Sequence, residues 1–216
     1  MKTLDDTVSA LVHGFLWLGS RFYNIKADRL PEKAVIAARH QSSEDILLFM
    51  SILPKKTKIL ASKDQLVNKL PVINYWAPYV LRVSGIAKSY DAGGRPRLNK
   101  DVLNVINDFV AETLQAGYGV AYAPEGRISP GKVGQNINPG PIIKAASLGY
   151  DAYVVGVHYR NEKHPWLSFL KLPWQNGAEV RFEPIYAKEK TRAEVMAEMR
   201  IALIRLSRPE PNSESR

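Results

Sequence analysis

A histidine and an aspartate stand five residues apart in a setting suited to proton transfer. Val35-Ile36-Ala37-Ala38-Arg39 is a β-type apolar run that ends at His40. Gln41-Ser42-Ser43-Glu44-Asp45 is polar, and Ile46-Leu47-Leu48-Phe49-Met50 begins a helix-like run. Ser42 or Ser43 suits an N-cap, and Glu44 and Asp45 sit where acids favour a helix N-terminus. On one continuous helix His40 and Asp45 would point about 140° apart. They can meet if His40 lies in the loop and Asp45 in the first turn, with the loop folding the imidazole back. A carboxylate on one ring nitrogen then fixes the tautomer and leaves the other as a general base. The plainer alternative is a loop histidine next to a helix-capping acid.

A second cluster lies some eighty residues on. Pro124-Glu125-Gly126-Arg127-Ile128-Ser129-Pro130-Gly131 forms a loop that leaves a strand over residues 118–123. Its bland reading is a surface turn. The four histidines, His13, His40, His158 and His164, form no ligand cluster, so no metal is expected. His13 reads as a packed histidine, and His158 and His164 as strand-end and loop residues outside any catalysis.

The elements that must position these groups follow from periodicity. Short strands are expected over residues 57–61, 118–123, 152–159 and 178–185, and helices over 63–69, 99–115, 141–148 and 191–206. Gly117 and Gly149 mark helix ends, and residues 91–97 form a Gly/Pro loop. Strands alternating with helices imply an α/β fold with a largely parallel, mixed sheet flanked by helices. With 216 residues and 24.2 kDa, the chain suits a single domain, taken as 30–208. A polar tail over 209–216 is expected to be disordered.

Residues 1–25 form a separate segment. The run over 8–19 is apolar but broken by Ser9, His13 and Gly14, short of the ~20 apolar residues a spanning helix needs. Asp5 and Asp6 precede it where a signal peptide would carry bases. With Phe15, Trp17, Phe22 and Tyr23 at one end, it reads as an amphipathic helix for a membrane interface or for packing on the domain.

Composition narrows the function classes. The apolar and charged fractions, 45% and 24%, are ordinary for a globular protein. Zero cysteines exclude disulfides and thiolate chemistry. The net charge of +9 sits almost wholly between Lys55 and Lys100, where ten bases face only Asp64 and Asp91. Nucleic acid, anionic lipid and phosphorylated small molecules are all possible partners for that segment, beside a merely solvated basic face. Bases interleaved with aromatics in a recognisable nucleic-acid motif are absent, which disfavours nucleic acid.

His40-x4-Asp45 followed by Pro124-Glu125-Gly126-Arg127 resembles the lysophospholipid acyltransferase family, the 1-acylglycerol-3-phosphate acyltransferases. The family's first motif is His-x4-Asp and its third is Phe-Pro-Glu-Gly-Thr-Arg-Ser. Here Ala123 stands for the Phe, and Arg127 comes one place early. Val154-Val155-Gly156-Val157 lies where the family has its fourth, apolar motif, with Gly156 near the usual Pro. Lys63-x2-Leu66-x4-Pro71 is similar to the lysine-containing segment before the second motif. The second motif itself departs: Lys88 or Tyr90 stands where the family has an arginine, with Arg95 and Arg97 close behind. The likeness runs over residues 35–185.

The resemblance implies a glycerolipid acyltransferase-like fold and a His40–Asp45 general base acting on an acceptor hydroxyl. It assigns Arg127, with Lys63 and Lys88, to an acceptor phosphate. Glu125 would orient Arg127 or accept from an acceptor hydroxyl, and Gly126 would let backbone approach the ligand. The implied reaction moves a fatty acyl chain from acyl-CoA or acyl-carrier protein, as co-substrate with no further cofactor, onto a lysophospholipid. Lysophosphatidate is the favoured acceptor, with glycerol phosphate or a lyso-aminolipid as alternatives. A peripheral or monotopic place at the cytoplasmic face of a membrane goes with it. The reading from another class is a non-catalytic membrane-surface or nucleic-acid-binding protein that uses the basic segment.

Overall fold

Four parallel strands make the centre of the molecule, and their hydrophobicity explains why. The computed structural model describes residues 26–27, 30–41, 45–54, 56–60, 89–90, 96–97, 100–126, 132–159 and 178–208. Val-Ile-Ala-Ala of β2 (Val35–Ala38) and Gly-Val-Ala-Tyr of β6 (Gly119–Tyr122) are buried at every position. Such unbroken apolar runs belong to strands covered on both faces. β2 pairs in parallel with β6 and with β7 (Ala152–Tyr159), and β6 pairs in parallel with β3 (Thr57–Leu60).

The other edge reverses direction. β8 (Ala178–Pro184) runs antiparallel to β7 from Tyr153↔Pro184 to Tyr159↔Ala178. The two-residue β1 (Lys26–Ala27) is parallel to β8. The sheet order is β1-β8-β7-β2-β6-β3, so the expected largely parallel, mixed α/β sheet is what forms. A separate two-stranded pair joins β4 (Ser89–Tyr90) to β5 (Pro96–Arg97), so the last two residues of the loop expected over 91–97 pair as a strand instead.

Among the described residues, helices cover the sheet unequally. On one face α2 (Lys100–Gln115), α3 (Gly140–Ser147) and α4 (Arg192–Leu206) pack Val110, Leu114, Ile142, Met199 and Leu203 onto Val35, Val120 and Val154. The alternate residues Ile36, Ala38, Ala121, Val155 and Val157 face the other way. There they meet Leu48, Phe49 and Leu53 from and just after α1 (Asp45–Ile52). This is the period-two alternation of strands expressed as two cores.

Local chemistry sets the element ends. Thr191 caps α4 with a full capping box: its hydroxyl accepts from Glu194 N, and Glu194 Oε2 accepts from Thr191 N at 2.7 Å. At the far end of α4, Arg181 of β8 donates to the Leu206 carbonyl at 3.1 Å. Gly156 lies directly beneath that end. A Cβ at this position would stand 2.4 Å from Leu206 Cβ and 2.6 Å from the Leu206 backbone carbon, so glycine is what lets α4 close onto β7. On the β3 edge, Lys58 Nζ lies 5.9 and 4.9 Å from the ring centroids of Phe109 and Tyr118, tying the edge strand to α2.

The helix expected over 63–69, the interface helix over 1–25 and the tail over 209–216 lie outside the described residues. Among the described residues, no helix is long and apolar enough to cross a membrane.

Candidate active site

His40 and Asp45 meet. β2 holds its sheet alignment one residue past its end, where Arg39 N donates to Val155 O at 3.1 Å, and His40 follows at once. The chain then turns into α1, whose first residue is Asp45. His40 Nδ1 lies 3.3 Å from Asp45 Oδ2, at the long end of hydrogen-bond range. A carboxylate neighbour favours the neutral tautomer that carries its proton on Nδ1 and leaves the lone pair on Nε2.

The surroundings of Asp45 make this a specific arrangement. Its carboxylate has no solvent exposure, whereas the His40 side chain keeps 16% of its surface open. A buried carboxylate is tolerable only when donors replace its water. Among the described residues these donors include His40 Nδ1 and the backbone N–H of Gln41 on Oδ2, and the Tyr159 hydroxyl on Oδ1. Gln41 is itself fixed, since its side-chain amide donates to Val157 O of β7 at 2.7 Å. The acid's two oxygens bind the loop before it and a strand 114 residues away, which is more than a helix-capping role requires.

The second cluster leaves the same edge of the sheet. Ala37 of β2 pairs with Tyr122 of β6, so His40 and Glu125 each follow a paired residue by three positions on neighbouring parallel strands. Ligands in open α/β sheets bind beyond the carboxyl ends of such strands. Glu125 is 7% exposed. Its Oε1 accepts from Gly134 N at 2.5 Å, while Oε2 is buried with no hydrogen-bond partner among the described residues. Gly126 has φ +64°, a left-handed conformation that glycine adopts without strain, and its N–H closes a turn onto Ala123 O at 3.0 Å.

The strand and the returning chain are pinned together around this turn. The Tyr122 hydroxyl donates to Asn138 O at 2.9 Å, and Asn138 N donates to Pro124 O at 2.8 Å. Burial holds the Tyr122 hydroxyl protonated far above its ordinary range, with Arg192 opposing only weakly.

The sequence-derived site is therefore placed in part. His40, Asp45, Glu125 and Gly126 stand at the carboxyl edge of the parallel strands. Arg127, Lys63 and Lys88 lie outside the described residues. His158 is half-buried on β7, in register with Glu179, and His164 is likewise outside the described residues. Among the described residues, no group of His, Asp and Glu is placed to hold a metal ion. Two residues without an expected role, Gln41 and Tyr159, join the shell of Asp45. A phenol at the end of a buried strand is the only trace Tyr159 leaves in the sequence.

No family model and no curated protein matches this chain. Among solved structures, its fold is similar to the 1-acyl-sn-glycerophosphate (LPA) acyltransferase PlsC from Thermotoga maritima. The alignment covers 95% of this chain and 81% of that one, at 18% sequence identity and a TM-score of 0.61. At that identity the likeness establishes a shared fold.

Proposed function

We propose that this protein is an O-acyltransferase that moves a fatty acyl chain from a thioester onto the hydroxyl of a lysophospholipid. The observation that carries the reading is the His40–Asp45 pair, with its buried and fully partnered carboxylate at the carboxyl edge of the sheet. The shared fold with an acyltransferase supports it.

The chemistry needs one base and no covalent enzyme intermediate. His40 Nε2 takes the proton of the acceptor hydroxyl as its oxygen attacks the thioester carbonyl carbon. The tetrahedral oxyanion is met by N–H donors of the neighbouring loops. As it collapses, the C–S bond breaks and the imidazolium returns its proton to the departing thiolate, giving an ester and a free thiol. Asp45 steadies the transient imidazolium throughout. Acyl-CoA or acyl-carrier protein is the donor, and no further cofactor takes part.

The favoured acceptor is 1-acylglycerol-3-phosphate, which gives phosphatidate. Arg127, aided by Lys63 and Lys88, holds the phosphate, and arginine's planar fork suits the task. Glu125 presents its second oxygen to an acceptor hydroxyl or to Arg127, and Gly126 keeps the backbone close. Lys88 or Tyr90, standing in place of an arginine, favours keeping glycerol phosphate and a lyso-aminolipid as second acceptors. Residues 8–23 and the basic segment rest on the cytoplasmic face of a membrane without crossing it.

An acyl-transfer assay with these three acceptors and both donor types tests the reading. Transfer to the phosphate-bearing lysolipid is expected. In Arg127→Ala its KM should rise tens- to several-hundred-fold, about 2–4 kcal/mol, with the donor KM unchanged. Absence of transfer with every acceptor would refute the reading. Equal loss for phosphate-bearing and phosphate-free acceptors would make Arg127 structural and remove it from the acceptor phosphate.

A further inference from the structure

β7 is longer than its parallel neighbour needs. Its pairing with β2 ends at Ala38↔Val155, yet the strand continues four residues to Tyr159, roughly 13 Å at ~3.3 Å per residue. Antiparallel pairing with β8 supports the overhang along its whole length, as far as Tyr159↔Ala178. The overhang touches both the loop after β2 and the first residue of α1. Val157 O receives the Gln41 side-chain amide, and two residues on, at the same strand period, the Tyr159 hydroxyl donates to Asp45 Oδ1.

From this geometry we infer that Tyr159 is a positioning residue for the proposed reaction, acting on His40 through Asp45. Rotation of the Asp45 carboxylate about its Cβ–Cγ bond would offer His40 the other oxygen, or a poor angle. With Tyr159 on Oδ1, rotation would break a hydrogen bond to a charged group. The carboxylate plane is thereby fixed, Oδ2 is reserved for His40 Nδ1 and Gln41 N, and Nε2 stays the basic nitrogen. The phenol's proton is committed to Asp45, so Tyr159 neither attacks nor protonates the substrate. The overhang of β7 is thus a post that holds the acid, and the reversed strand β8 is what allows the post to stand.

This inference rests on the acyltransferase reading for its kinetic arm and not for its spectroscopic one. In Tyr159→Phe, which keeps the ring, kcat should fall about tenfold, a typical loss for one hydrogen bond to a charged group, with both KM values within about twofold. In protein labelled with 15N-histidine, the His40 resonance, assigned by its absence from His40→Gln, should change from a single Nδ1–H tautomer to a mixture. The same change made in Asp45→Asn protein should cost little more, because the group it acts through is already altered.

An unchanged tautomer together with an unchanged kcat in Tyr159→Phe would overturn the inference. An equal further loss in the Asp45→Asn background would also overturn it, since a merely structural residue behaves that way. A tautomer shift in a protein that transfers no acyl chain would keep the positioning and remove only the enzymatic reading. If Tyr159→Phe does not fold, the wild-type 15N spectrum decides. A single Nδ1–H tautomer that mixes in Asp45→Asn supports the route through the acid, and a mixture already present in the wild type refutes it.

Discussion

On one face of the sheet three helices bury Met199, Leu203, Val110 and Ile142 completely against Val35, Val120 and Val154. On the other, α1 sets Leu48 and Phe49 against Ile36 and Val155, and gives its first residue to His40. The first face is closed by apolar contact and helix caps. Among the described residues, the second combines a smaller apolar contact with a polar network that draws on two separate stretches of chain: the loop after β2 running into α1, and the end of β7. Among the described residues, the larger apolar core and the polar network of Asp45 thus lie on opposite faces of the same four strands. Substitutions should separate them.

The sharpest separation comes from the core under α4. Leu203→Ala removes a fully buried side chain and should cost about 2–5 kcal/mol, seen as a fall in Tm of roughly 5–15 °C. Activity per folded molecule should stay unchanged. A parallel loss of kcat in the folded fraction would show that the two faces are not insulated.

Gly156→Ala tests the insulation where it is thinnest, because β7 carries both Gly156 and Tyr159. Its new Cβ would have to displace Leu206, at an expected cost of about 1–3 kcal/mol in denaturant titration. Stability should fall with the His40–Asp45 contact intact. A selective loss of kcat instead would mean that strain passes along β7 into the site.

The smallest effect is expected at the α4 cap. Thr191→Ala should cost about 1 kcal/mol in thermal unfolding and leave the site untouched. Hydrogen bonds from Thr191 hold the Glu194 carboxyl below its ordinary range. The stability linked to that group is present above the unfolded value of 4.5 and fades as pH falls through the lower folded value. Thr191→Ala should therefore flatten the acid limb of the stability profile. An unaltered limb would show that the cap bonds are not formed in solution.

What the sequence made legible follows from range. β2, the loop and α1 form one continuous stretch, yet apolar periodicity and caps left the meeting of His40 and Asp45 open beside a plain capping acid. Only the resemblance of the motif favoured it. β7 was delimited to the residue, and α2, α3 and α4 to within one, because apolar runs and glycines mark their ends. The shell of Asp45 was not legible. Tyr159 reaches it only through the β2–β7 register and the overhang beyond Val155, which depend on contacts 114 residues apart. The reversal of β8 is equally hidden, since alternating Val180 and Phe182 suit a parallel or an antiparallel edge. Glu125 was expected near a ligand. Its hold on Gly134 N, which fixes the chain returning to α3, has no local mark in the sequence.

The central claim is that His40 is the base. In His40→Ala, acyl transfer from acyl-CoA to 1-acylglycerol-3-phosphate, measured beside the wild type, should fall at least about 100-fold, with an unchanged Tm. Near-normal transfer by folded His40→Ala protein would contradict it.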